Sequence, residues 1–275
     1  MKVFVSVDME GTAGIVDWDQ CVPGERDYPL GQRLLLAELN AALDGALAAG
    51  ATDIVVNDAH STMHNIDPSA LHGRASYLSG RHKPLYMMEG LDGSFDAVLM
   101  VSYHAAAATP GTLSHTYNPR AIIDVRLNGR SAGEAGINAL VAQHHGVPVA
   151  LITGDQYVGP EAEPFCPGVE AVVVKRSLSR YTAHSLHPEE AAAAIRAGAE
   201  RALLRVGELR PPALALPATL DVDFLSPDMA EQASWLRGVE QTGPRSASLS
   251  DDDPLRLYRT FITLVYLTRS LVETR

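Results

Sequence analysis

The chain has 275 residues, enough for one large α/β domain or two small ones, and its 46% hydrophobic and 20% charged residues are those of a folded globular protein rather than a disordered one. A net charge of −11 argues against nucleic-acid binding, which needs a basic face, and suits a site that holds divalent cations. No apolar run approaches the ~18 residues of a membrane span, and Lys2 leads straight into a strand-like segment with no signal-peptide pattern, so a cytoplasmic location is expected. Cys21 and Cys166 lie far apart with no C-x-x-C pair, and read as free thiols.

In chain order, Lys2–Val7 reads as a strand rich in β-branched and aromatic residues. Leu34–Ala49 follows as an amphipathic helix, with Leu35, Leu39, Leu43 and Leu47 at four-residue spacing and Gly50 as its stop. Short apolar runs predict strands at Asp53–Asn57, Ala97–Ser102 and Ala121–Leu127, the last ending in a tight Asn128-Gly129 turn. A helix is expected from near Ser131 to Gly146, then strands at Val149–Thr153 and Ala171–Lys175, then an Ala-rich helix at Pro188–Arg205. This alternation predicts an α/β fold, a mainly parallel sheet with helices on both faces.

The rest reads as a C-terminal extension. Arg210–Pro217 reads as a Pro-rich connector running into a strand at Ala218–Phe224, Gln241–Asp253 as a polar surface loop, and Leu255–Val272 as a final helix. The expected organisation is a single catalytic α/β unit over residues 1–275. Residues 1–210 would carry the site, and 211–275 would form an extension or small subdomain.

Ligands in open α/β sheets bind beyond the carboxyl ends of the strands. There the sequence places Asp8 and Glu10 after the first strand, Asp58 and His60 after the second, His104 after the third and Asp155 after the Val149–Thr153 strand. Singly, Asp8 reads equally as a cap, Glu10 as a solvated loop residue, and either histidine as a hydrogen-bonded structural one. Asp58 and Asp155 read as turn or supporting residues. Together the strand ends imply one convergent metal site. Asp8 and Glu10, two apart, can share a strand face and reach one cluster. Mixed Asp, Glu and His ligation suits zinc, with manganese or cobalt as substitutes. A pair of such ions is a standard device for hydrolysing amides and phosphate esters. The sequence contains no H-E-x-x-H, Walker A or G-x-G-x-x-G motif. His64, four residues after His60, is a weaker ligand candidate, and His144-His145 reads as a solvated helix end.

These segments resemble peptidase family M55, the D-aminopeptidases of the dipeptide-operon type. Ser6-Val7-Asp8-Met9-Glu10-Gly11 is similar to the family's S-x-D-x-E-G signature. Asn57-Asp58-Ala59-His60, Ser102-Tyr103-His104, Ser114-His115-Thr116-Tyr117, and Asn128-Gly129 with Gly133-Glu134 resemble its later segments in order. The resemblance implies that Asp8 bridges two zinc ions, that Glu10 and His60 complete one site and His104 and Glu134 the other, and that His115 is catalytic. By itself Glu134, near a predicted helix start, would read as a cap. It further implies release of N-terminal D-amino acids from short peptides, and a homodecamer of two stacked pentameric rings. Alternatives are a two-metal amidohydrolase acting on L-, β- or modified short peptides, and a metal- or amino-acid-binding protein without catalysis.

Overall fold

The structure, a computed structural model, describes residues 1–272. Twelve strands and six α-helices occur in it. In the first half these are β1 (Lys2–Val7), α1 (Tyr28–Ala48), β2 (Asp53–Asp58), β3 (Ser76–Leu78), β4 (Ala97–Val101), β5 (Ile122–Leu127), β6 (Arg130–Ser131) and α2 (Glu134–His145). The second half contains β7 (Val149–Asp155), α3 (Val158–Ala162), β8 (Glu170–Ser179), β9 (Thr182–Ser185), α4 (Pro188–Leu204), β10 (Ala218–Phe224), α5 (Pro227–Ala233), β11 (Val239–Gly243), β12 (Ser246–Asp251) and α6 (Pro254–Arg269).

Seven strands form the main sheet in the order β3-β2-β1-β4-β7-β8-β9, parallel except where β9 returns against β8. The interior strand β1 is buried on both faces, and alternation divides its side chains. Val3, Val5 and Val7 join Leu35, Leu39 and Leu43 of α1 and Ile195 and Ala199 of α4. Phe4 faces the other way, into a core with Val98 and Met100 of β4 and Ile137, Leu140 and Val141 of α2. The expected mainly parallel sheet with helices on both faces is present.

Three expectations need correction. The strand ending at Leu127 does not join the parallel sheet; β5 pairs antiparallel with β10 in a second sheet, ordered β11-β12-β10-β5-β6. The polar stretch Gln241–Asp253 is not a surface loop but mostly the β11–β12 hairpin that edges this sheet. Its signal is the Ser246-Ala247-Ser248-Leu249-Ser250 alternation, in which Ala247 and Leu249 are buried. Helix α1 starts at Tyr28, six residues earlier than the leucine pattern suggests, with Pro29 in its first turn. Leu47 is 38% exposed, because a strict four-residue spacing drifts off the buried face of a 3.6-residue helix.

The C-terminal segment is fused to the main core. Phe261, Leu264 and Val265 of α6 share one apolar cluster with Leu140 of α2 and Phe4 of β1. Tyr258 of α6 donates its hydroxyl hydrogen to Leu85 O at 3.0 Å and lies 3.3 Å from Asn138 Oδ1. Asn138 in turn accepts from the Tyr117 hydroxyl at 2.8 Å and donates to Tyr103 Oη at 3.0 Å. Among the described residues, no helix is long and apolar enough to cross a membrane.

Candidate metal centre

Strand β1 enters the sheet between β2, its sequence successor, and β4, so chain direction across the sheet reverses beside it. That switch point opens a crevice at the carboxyl ends of β1, β2 and β4. Asp8, His60 and His104 stand there. Glu10 is reached because the chain turns sharply over β4: the Gly11 N–H donates to Ser102 O at 2.9 Å, and a Cβ at Gly11 would lie 2.0 Å from Tyr103 O. Only glycine permits that approach. Glu134 comes from the first turn of α2 and His115 from the loop after β4.

The six residues meet. Asp8 Oδ1 lies 3.2 Å from His60 Nδ1, while Asp8 Oδ2 lies 3.3 Å from His104 Nε2. Glu10 Oε2 is 3.1 Å from His60 Nδ1, and Glu134 Oε1 is 3.5 Å from His104 Nε2. His115 stacks on His104 with ring centres 3.9 Å apart, and its Nε2 is 3.8 Å from Glu134 Oε1 and 4.0 Å from Glu10 Oε1. All six are buried, none more than 8% exposed.

Each imidazole is oriented by a backbone carbonyl. Nε2–H of His60 donates to Cys21 O at 2.8 Å. Nδ1–H of His104 donates to Ala105 O at 2.9 Å, and Nδ1–H of His115 to Leu113 O at 2.9 Å. In these tautomers the remaining nitrogen of each ring turns a lone pair toward carboxylate oxygens. Lone pairs and anions packed this way repel unless positive charge lies between them. Burial alone would push His60 and His104 toward neutrality, yet Glu10 and Asp8 hold His60, and Glu134 and Asp8 hold His104, well above the ordinary imidazole range. Asp8 is depressed far below the usual carboxylate range: burial raises it, but both histidines outweigh that. Glu10 is also lowered, with burial opposed chiefly by His60. His115 differs; burial and the neighbouring His104 push it down.

Asp8 Oδ2, Glu10 Oε2 and His104 Nε2 are buried without a hydrogen-bond partner. Asp8, Glu10 and His104 form one set close enough to hold an ion, and His104, His115 and Glu134 form another. Carboxylate and imidazole donors, orphaned and convergent, are the donor set of divalent zinc.

The other strand-end residues have different work. Asp58 accepts from the backbone N–H groups of Asn65 and Ile66 at 2.5 and 3.1 Å, and so closes the loop that carries His60. Asp155 accepts from Thr112 N–H at 3.0 Å and Tyr157 N–H at 2.9 Å. His64 is exposed and bonded to Thr62 O.

Sequence reasoning missed the support behind the cluster. Lys175 of β8, 2% exposed, donates to the carbonyls of Glu10, Thr12 and Ile15. Glu38 of α1 accepts from Ala13 N–H at 2.8 Å and the Ser102 hydroxyl at 2.9 Å. Burial raises Glu38 to about 7, against those donors and Lys175. The Tyr117 N–H donates to Glu134 Oε1 at 2.7 Å. A cavity of about 470 Å³ opens over Asp8, Glu10, His60, His115 and Glu134, walled in part by Trp18, Tyr86 and Tyr117.

Comparison with known proteins agrees with this geometry. The family model of D-aminopeptidases, peptidase family M55, matches residues 1–263. A D-aminopeptidase of Bacillus subtilis (strain 168) is 35% identical over 271 residues, 97% of each chain. The solved structure of the zinc-dependent D-aminopeptidase DppA from Bacillus subtilis, described as a self-compartmentalizing protease, matches with a TM-score of 0.93 at 33% identity, over 98% of each chain. The chain belongs to peptidase family M55, the D-aminopeptidases.

Proposed function

We propose that the protein is a dinuclear zinc aminopeptidase that releases N-terminal D-amino acids from short peptides. The observation that carries the two-metal reading is Asp8: its two oxygens address two different histidines, His60 and His104, as a bridging carboxylate would. Glu10 and His60 would complete one zinc site, and His104 and Glu134 the other. Zinc, when bound there, supplies Lewis acidity toward a scissile carbonyl and eases deprotonation of water.

The chain's own groups do the rest. Carbonyl bonds lock the tautomers, so His60 offers Nδ1 and His104 offers Nε2. Nε2 of His115 faces the cavity with its lone pair free and accepts the proton of the attacking water, then returns it to the leaving amine. Trp18 lies edge-on to His115, with ring centres 5.3 Å apart, and limits water on that side. Assembly into a closed homo-oligomer, a decamer in this reading, is supported by exposed Leu178 and Tyr181 in the β8–β9 hairpin, next to Arg180 of the cavity mouth. A cytoplasmic location accompanies the reading.

The test is to assay D- and L-alanine p-nitroanilides before and after chelation and zinc restoration, with metal analysis of the active protein. Hydrolysis of the D-anilide that follows zinc supports the proposal. Fewer than two metals per active chain would overturn the dinuclear site, and equal D and L rates the stereochemical preference.

A further inference from the structure

The floor of the cavity is acidic, but its mouth is not. Arg120, Arg180 and Arg269 line the same cavity. They arrive from three places: the end of the His115 loop, the β8–β9 turn and the last turn of α6. In a chain of net charge −11, three guanidinium groups at one opening are a local departure. Arg126, Arg201, Arg205 and Arg256 are each held in ion pairs with carboxylates. Among the described residues, none of the three cavity arginines has a carboxylate within 4.0 Å.

Arg269 is also pre-positioned. Its guanidinium lies over the rings of Tyr86 and Tyr266, 5.7 and 5.4 Å from their centres, and donates to Tyr86 Oη. Tyr86 packs on Tyr117, with ring centres 5.5 Å apart, and the Tyr117 N–H holds Glu134. Arg180 is tied to the His115 loop: its carbonyl accepts from Leu113 N–H at 2.8 Å, and Leu113 O holds His115. The cationic mouth is therefore braced, at Leu113 and through Tyr86 at Tyr117, on the single β4–β5 loop that carries His115.

We propose that Arg269, flanked by Arg120 and Arg180, receives the free α-carboxylate of a short unblocked peptide while the scissile end of that peptide lies on the Asp8–Glu10–His115 floor. A di- or tripeptide presents that anion one or two residues, at most ~3.6 Å each, beyond the scissile bond. The cavity of about 470 Å³ is of small-ligand size. A planar guanidinium fixed on aromatic rings matches a carboxylate in two parallel hydrogen bonds. The arginines also offset the repulsion that Asp8, Glu10 and Glu134 exert on an anionic substrate. Substrate length is then selected by charge at the mouth. The inference rests on the aminopeptidase reading above.

The experiment compares D-alanyl-glycine with D-alanyl-glycinamide, equal in size and different in that one charge, on the zinc-loaded full-length enzyme. The wild type is expected to prefer the acid by about tenfold to a hundredfold in kcat/KM, expressed mainly in KM, the range for a lost charge-assisted bond. Arg269→Gln should bring acid and amide close to parity. The exposed Arg180→Gln, which disturbs no aromatic packing of α6, should lower the preference in part. Equal use of acid and amide by the wild type overturns the inference while D-alanine p-nitroanilide hydrolysis keeps the aminopeptidase reading intact. A folded Arg269→Gln protein that retains the full preference for the acid overturns it as well. Failure on both peptides and the anilide would remove the aminopeptidase reading and this inference with it.

Discussion

Lys175→Met removes the brace behind Glu10 and nothing in the cluster itself. The ammonium donates to Glu10 O at 2.5 Å, Thr12 O at 3.0 Å and Ile15 O at 2.7 Å. Methionine fills a similar volume without donating. Thr12 O keeps the Ile15 N–H at 3.2 Å, so two carbonyls, those of Glu10 and Ile15, are left buried and unpaired; at about 1–3 kcal/mol each they set a cost of about 2–6 kcal/mol. Against it stands what the fold gives up to keep this amine charged. Burial, the dominant cause, pulls Lys175 from 10.5 to about 8, although Glu38 and other anions oppose it. A fall of that size corresponds to about 3 kcal/mol. The carbonyls win narrowly, and the mid-range outcome is a net loss of about 1 kcal/mol. Urea unfolding of the metal-free proteins at pH 7, followed by circular dichroism, reads that loss as a lower midpoint at unchanged slope. Because the lost bond ends on the Glu10 backbone, zinc affinity should fall by about 10–100-fold as well. A variant with the wild-type midpoint and wild-type zinc affinity refutes the brace.

Replacing His115 with alanine should leave zinc content unchanged and lower turnover by at least ~100-fold, as expected for loss of a proton-transfer group; loss of zinc from a folded variant would instead make His115 a ligand. Glu38→Gln addresses stability. Burial raises the folded-state value to about 7 from 4.5, so the folded chain keeps a proton that the unfolded chain has already released. This contribution, about 3 kcal/mol, is present below pH 4.5 and is lost as pH rises through 7, so Glu38→Gln should flatten the decline of stability across that window. Parallel pH profiles for variant and wild type in urea titrations would sink that assignment. Zinc added to metal-free protein at 1,000 times its Kd should stabilise by about 4 kcal/mol, seen as a rise in Tm, and an unmoved transition would contradict tight binding at the cluster.

Strands β1, β2, β4, β7 and β8 of the main sheet were legible because each is a short apolar run cut off by a polar residue, and Asp8, Glu10, His60 and His104 because they sit at matching ends; the short polar edge strands β3 and β9 carried no such run, and His115 and Glu134 were suggested only by the family resemblance. The second sheet was not, because β5 pairs with a strand nearly a hundred positions away, Leu127 with Leu220, and no local pattern announces such a partner. Glu38 did carry a signal: it interrupts the apolar face of α1 between Leu35 and Leu39, where a charge has to be answered by buried partners. Lys175, at the polar end of an apolar run, looked like any strand terminus. Backbone conformation was hidden too. Ser61, Ser102, Leu113 and Tyr117 all have positive φ, each within two residues of His60, His104 or His115. None is the glycine or asparagine that would advertise it, so tertiary contacts impose these turns and the sequence does not encode them locally.

Asp155 shows what separates a site residue from its imitation. It ends β7 as Asp8 follows β1, with the same chemistry and nearly complete burial. The difference is one strand position. The reversal of strand order lies between β1 and β4, where the loops diverge and leave room for a ligand; β7 lies one step beyond β4, where the connections run the same way and close over the strand end. Asp155 is therefore met by backbone: Thr112 and Tyr157 donate to its two oxygens and satisfy the charge. Thr112 belongs to the loop that carries His115 and Tyr117, so the carboxylate excluded from the crevice anchors the segment that completes it. Asp8, at the switch point, has no such donors for Oδ2. Position in the sheet order, more than residue type, decides which of two equivalent aspartates is left with an unpartnered oxygen.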